Sequence, residues 1–144
     1  MKKFVLTLLG LGVFLVIILV LNMEPPMPTV SVDSKKMEVV QGSYCWNKLV
    51  NATCVDKISP PELLAHHQIV PTVVSPQSAI KVEFQKQPIE EIVVEEWSNS
   101  NANKVVSVEG NIFLASQEKG SYIYMISGRW HKGSASYIVN IDVK

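Results

Sequence analysis

The sequence lacks almost every pattern that names a reaction. It has no G-x-S-x-G turn, no histidine and acid set in recognisable order, no glycine-rich phosphate loop and no D-x-D-x-D-G calcium loop. Excess charge of one sign is missing too, since 13 basic and 13 acidic residues cancel over 144. Set Lys2 and Lys3 aside and the remainder carries 11 basic against 13 acidic residues. That balance gives no counterion-release drive toward nucleic acid and no polybasic patch for anionic lipid. Neither a nucleic-acid partner nor a cofactor is expected. No internal repeat or low-complexity tract occurs, and glycine and proline fall at punctuation points, as in an ordinary folded chain.

What is present begins with one long apolar run. From Phe4 to Leu21, FVLTLLGLGVFLVIILVL contains no charge over 18 residues. As a helix rising ~1.5 Å per residue it would be roughly 27 Å long, close to the ~30 Å hydrocarbon core of a bilayer. A secretory signal has a shorter apolar core and small residues before its cleavage site. Here the exit reads Leu-Val-Leu-Asn-Met-Glu-Pro-Pro, and no cysteine stands near it for lipid attachment. The expectation is an uncleaved transmembrane signal-anchor over 4–22, with 1–3 cytoplasmic because Lys2 and Lys3 obey the positive-inside rule. The rest is then extracytoplasmic on the cell membrane. Secretion after cleavage is the alternative.

In an oxidising compartment the two cysteines, Cys45 and Cys54, read as a disulfide across a loop or hairpin. Two thiols alone lack the remaining ligands of a metal site. Asn51-Ala52-Thr53 between them fits a glycosylation sequon, which matters only in a eukaryotic secretory pathway. Residues 23–28 are proline-dense and predict an extended spacer, leaving 29–144 as one domain.

In that domain β-branched and aromatic residues recur in short runs broken by turn residues, the pattern of an all-β fold. Ile80, Val82 and Phe84 alternate with Lys81 and Glu83, which predicts a half-buried strand. Ile92 and Val94 continue such a pattern, but Trp97 falls on the other parity; a bulge is favoured over an outward tryptophan. Asn99 to Asn103 reads as a polar loop. Lys104 to Val108 and Ile112 to Ala115 predict a hairpin across Glu109-Gly110-Asn111. Gly120 to Ile126 and Tyr137 to Val143 predict a terminal hairpin. The one candidate helix of the domain starts at Ser59-Pro60-Pro61-Glu62, with a capping serine, first-turn prolines and an early acid. About eight strands and one short helix imply an antiparallel β-sandwich, because each sheet's apolar face needs a second sheet to cover it.

Gly120-Ser121-Tyr122 opening a strand, followed by Trp130 and an alternating last strand, resembles the closing strands of immunoglobulin-like sandwiches, where such a tyrosine forms a tyrosine corner. Cys45 and Cys54 are too close in sequence to be the bridge between the sheets of a true immunoglobulin domain. More of the chain, QGSYCW, CVD, PPELL, PTVVSP, IKVEF, KGSYIYMISGRW and YIVNIDV, resembles small membrane-anchored extracytoplasmic proteins of Bacillus-type Firmicutes. That resemblance implies location and fold and transfers no catalytic residue.

Candidate sites are few. Glu62, His66 and His67 sit where one helix face could offer two metal ligands, against the plainer reading of exposed polar residues. Glu90, Glu91, Glu95 and Glu96 could be paired acids or a solvated strand end. Of the tryptophans, Trp46 beside Cys45 reads as core. Arg129, Trp130 and His131, at the tip of the terminal hairpin, are the candidate binding surface. The leading function is a binding module that contacts an envelope protein or polymer. An accessory subunit acting on a membrane partner through its helix, or an envelope hydrolase, are the alternatives.

Overall fold

The computed structural model describes residues 2–21, 24–48, 50–97 and 103–144, and within the first helix the side chains of 8–17. The expected loop at Asn99 to Asn103 lies outside these residues except for Asn103. The first helix, α1, runs Lys2–Leu21. Its described side chains, Leu8 to Ile17, are exposed and touch no part of the core. Among the described residues no helix is long and apolar enough to cross a membrane.

The remainder is mainly β. Chain order is β1 (Pro28–Val32), β2 (Lys35–Lys36), β3 (Val40–Asn47), β4 (Ala52–Val55), α2 (Pro60–His66), β5 (Thr72–Val74), β6 (Ala79–Phe84), β7 (Val93–Glu96), β8 (Lys104–Val106), β9 (Val108–Glu109), β10 (Ile112–Leu114), β11 (Gly120–Trp130) and β12 (Gly133–Val143). One sheet has the order β2-β1-β6-β10-β9; the other runs β4-β3-β12-β11-β7-β8, with β5 also pairing β12. Among the described residues every pairing is antiparallel except the parallel contact of β5 with β12.

The alternation of Ile80, Val82 and Phe84 does what its period requires, burying those three and exposing Lys81 and Glu83. They meet Val94, Tyr124, Ile126, Tyr137 and Val139 from the other sheet in one core. Ile138 points the opposite way and is also buried, with Val40, Leu63 and Leu64 under α2. The last strand is therefore covered on both faces, which is why Tyr137 to Val139 is an unbroken apolar run. Ser59 caps α2 as expected: its N–H and hydroxyl both donate to the Glu62 carboxylate, at 3.3 and 2.6 Å.

Three expectations change. The run around Trp97 contains no bulge, since β7 pairs β11 in unbroken register and the Trp97 N–H continues the ladder to the Ile123 carbonyl. Trp97 lies on the outer face of its sheet, near the start of α2. The hairpin expected over Lys104 to Ala115 is divided. Residues of β8 pair with β7, the chain then crosses at Ser107, and only β9 turns through Gly110 onto β10 in the opposite sheet. The proline segment is not a free spacer either. Pro25 is buried, Pro28 already pairs with Phe84, and the Pro26 carbonyl accepts a 2.7 Å hydrogen bond from the Tyr137 hydroxyl.

Cys45 and Cys54 face each other across β3 and β4 and form the expected disulfide. Next to it Gly133 has φ +147°, and a Cβ there would overlap the Cys45 carbonyl oxygen. Replacing Gly133 by Ala should lower the urea midpoint by an amount equivalent to more than about 2 kcal/mol. Removing the disulfide by a double Cys→Ala change should cost ~2.5–3 kcal/mol by loop entropy, read in the same titration.

Candidate binding surfaces

Trp130 is not at a surface. Its ring is 3% exposed and makes edge contacts with Phe84 at 5.1 Å and Trp46 at 5.8 Å. Its indole N–H donates to the Lys86 carbonyl at 2.8 Å. The reason is local. Residues 128 and 130 share a face of β11, and Gly128 has no side chain, so the indole folds over it; a Cβ at 128 would come within 2.6 Å of the ring. Of the three residues expected to form a contact surface, Arg129 and His131 are exposed and Trp130 is core. Glycine two positions before the tryptophan was the sequence signal for this.

The metal reading of Glu62, His66 and His67 gains no support from their placement. The Glu62 carboxylate is taken up by Ser59, and the imidazoles of His66 and His67 stand edge to face at 5.3 Å. Among the described residues, no group of three or more His, Cys, Asp or Glu is placed to hold a metal. The four glutamates also part company. Glu90 lies 3.8 Å from Arg129 beside the hairpin tip, whereas Glu95 and Glu96 alternate across β7 and point to opposite faces of the sheet.

A larger site lies at the other end of the molecule, and no motif pointed to it. The eleven residues of β11 separate Gly120 from Trp130 by ~35 Å. At the Gly120 end an open cleft of about 910 Å³ lies between the sheets. Glu96 and Lys104 line one wall; Gln77, Gln117 and Glu118 line the other; Tyr122 and Tyr124 close it from β11. The turns that build this wall are held by hydrogen bonds. Gln77, at φ +59°, donates from its side chain to the Ala115 carbonyl, and the Glu118 N–H donates to the Ser116 hydroxyl. In the sequence Gln77, Gln117 and Glu118 belong to no pattern, and Lys104 reads only as the start of a strand.

Tyr122 and Tyr124 stack at 6.3 Å and are fixed by opposite kinds of hydrogen bond. The Tyr122 hydroxyl donates to the Glu118 carbonyl, four residues upstream, at 3.0 Å. The Tyr124 hydroxyl accepts from the Ser116 N–H at 3.2 Å. Burial, aided by the nearby Glu96 carboxylate, pushes the Tyr124 phenol up to about 12, against the opposing pull of the Ser116 N–H. Burial also raises Tyr137 well above the ordinary phenol value. Near the far end of β12, Asp142 accepts from Lys144 and is held below the usual carboxylate range.

Chemically, the cleft offers amides, hydroxyls and charges of both signs. Its described lining contains no histidine or cysteine to act as base or nucleophile. No family model, no curated protein and no solved structure matches the chain.

Alkaline titration checks the two buried phenols. A phenol whose folded value is raised above its unfolded one stabilises the fold fully below pH 10, and that contribution drains away as pH rises toward about 12. Absorbance should show the ionisation of Tyr124 and Tyr137 appearing together with loss of near-UV circular dichroism. A smooth titration of both with the fold intact would contradict their burial. Tyr122→Phe should cost ~0.5–1.5 kcal/mol in chemical denaturation, the net worth of the lost hydrogen bond.

Proposed function

We propose that this chain is a single-span, membrane-anchored extracytoplasmic binding module of the cell envelope, built on an immunoglobulin-like sandwich. The observation that carries the binding role is the open polar cleft at the Gly120 end, which lies opposite the end where the chain arrives from α1. A site for a large envelope ligand belongs there, facing away from the membrane.

The immunoglobulin-like assignment is supported by strand order. β1-β6-β10-β9 and β7-β11-β12 follow the neighbour relations of strands A-B-E-D and C-F-G. Tyr122 opens the strand in the F position and bonds back four residues, as a tyrosine corner does. The segment from β2 through α2 is then an insertion between the first two strands. Its disulfide lies within one hairpin and so has no part in joining the sheets.

The span itself is supported by 18 uncharged residues in a helical stretch and by the two lysines before them. The host of Bacillus type follows only from the sequence resemblance. A second reading, an accessory subunit working through its helix, draws on the exposure of Leu8 to Ile17, which leaves those side chains for a partner helix.

The full chain in lipid nanodiscs, mixed with solubilised envelope polymer, tests the binding role. Retention should fall at least about tenfold when Lys104 and Gln117 are both changed to Glu, and stay unchanged for His131→Ala. Equal retention by all three proteins would contradict the assignment to the cleft. Replacing Phe4 to Leu21 by an unrelated spanning helix should leave this binding intact; loss would favour the accessory-subunit reading.

A further inference from the structure

The end of the sandwich that carries the terminal hairpin is also the end at which the chain joins α1. Several contacts establish this. Pro28 pairs with Phe84, the Tyr137 hydroxyl holds the Pro26 carbonyl, and the Trp130 indole holds the Lys86 carbonyl. The Ile89 N–H donates to the Arg129 carbonyl, and the Asn47 N–H donates to the Lys132 carbonyl. The loop after β6, the loop between β3 and β4 and the hairpin tip are thereby gathered around the N-terminal segment.

The length of chain available is short. Pro25 is buried against the domain, and α1 ends at Leu21. Four Cα steps of ~3.8 Å separate them, so the domain surface lies within roughly 15 Å of the helix end. The headgroup layer outside the hydrocarbon core is itself ~5–8 Å deep. This leaves little room for water between the end of the domain and a bilayer in which α1 is seated.

The same end exposes apolar side chains that the fold does not use. Val50, at the turn of the disulfide hairpin, is 88% exposed, Ile89 is 49% and Met27 is 47% exposed. Lys48, Lys86 and Lys132 stand on the same three loops. Apolar tips with lysines beside them suit the boundary between acyl chains and headgroups, where the stems bury and the ammonium groups reach outward. The acids at this end, Glu24, Glu90 and Glu91, offset most of that charge, and Glu90 also faces Arg129. Attraction to anionic lipid is therefore small; the short tether supplies a high local concentration, and apolar contact supplies the rest.

We infer that this end is a membrane-docking surface: Val50, Ile89 and Met27 rest in the headgroup region of the bilayer that α1 spans. The inference rests on the proposed span. It explains why the hairpin tip cannot also serve as the ligand site, and it fixes the domain upright with its cleft outward.

Fluorescence in vesicles of phosphatidylcholine with phosphatidylglycerol tests it on the full chain. Two variants, Val50→Trp and Lys119→Trp, place a reporter at each end, at exposed positions that leave the core unchanged. With a spin label near the headgroup end of the acyl chain, and the signal of the unsubstituted chain with its three native tryptophans subtracted, the emission lost at residue 50 should be about threefold greater than at 119, as expected for a side chain ~5–10 Å deep. The emission from residue 50 should also shift to the blue. Equal quenching at both positions, with the chain retained in the vesicles through alkaline carbonate, would overturn the docking surface and leave the span standing. Extraction of the chain by carbonate would overturn the span, and the docking surface with it.

Discussion

Everything at the hairpin end depends on how Tyr137 is buried. Its ring lies against Phe84, which in turn meets Trp130, and Trp130 meets Trp46. The phenol has no exposure, and its hydroxyl finds the Pro26 carbonyl. A buried hydroxyl without a partner costs ~1–3 kcal/mol, so satisfying Tyr137 requires the N-terminal segment to lie where it does. The aromatic contacts, worth ~0.5–1.5 kcal/mol each beyond area, draw together strands β3, β6, β11 and β12. From one phenol follow the position of the proline segment, the closure of this end and its separation from the cleft.

The two ends are built from opposite materials. At the hairpin end aromatic rings and tight glycines fill the space, and Gly128 and Gly133 admit close approaches that a side chain would prevent. At the other end polar turns around Gln77 and Ser116 prop the sheets apart and leave an open cleft. Side chains are closely packed at one end, and a cleft stands open at the other. In the proposed setting that asymmetry matches a module held to a bilayer at its closed end and presenting its open end to the envelope.

Much of the fold was legible because its signals are local. The alternation from Ile80 to Phe84, the capping signals at Ser59 and Glu62, the cysteine pair and the final hairpin each involve residues a few positions apart. What escaped depends on distant partners. The crossing between sheets at Ser107 could not be read from Lys104 to Val108, since alternation identifies a strand without naming its neighbour. Trp97 kept its parity and simply faced outward, where α2 begins. Trp130 looked like a tip residue because burial there is decided by Gly128, Phe84 and Trp46 together. The cleft left no motif at all, for Gln77 and Gln117 come from two separate loops and Lys104 from the start of β8.

In the proposed arrangement the closed end stands on the bilayer and the cleft faces away from it. Neutron reflectometry of the full chain in a supported bilayer measures this most directly. It should record a protein layer that starts at the headgroups and extends about 35–40 Å, the length of the eleven-residue strands with their turns. A water-filled gap between headgroups and protein, or a thin layer from a domain lying on its side, would contradict it.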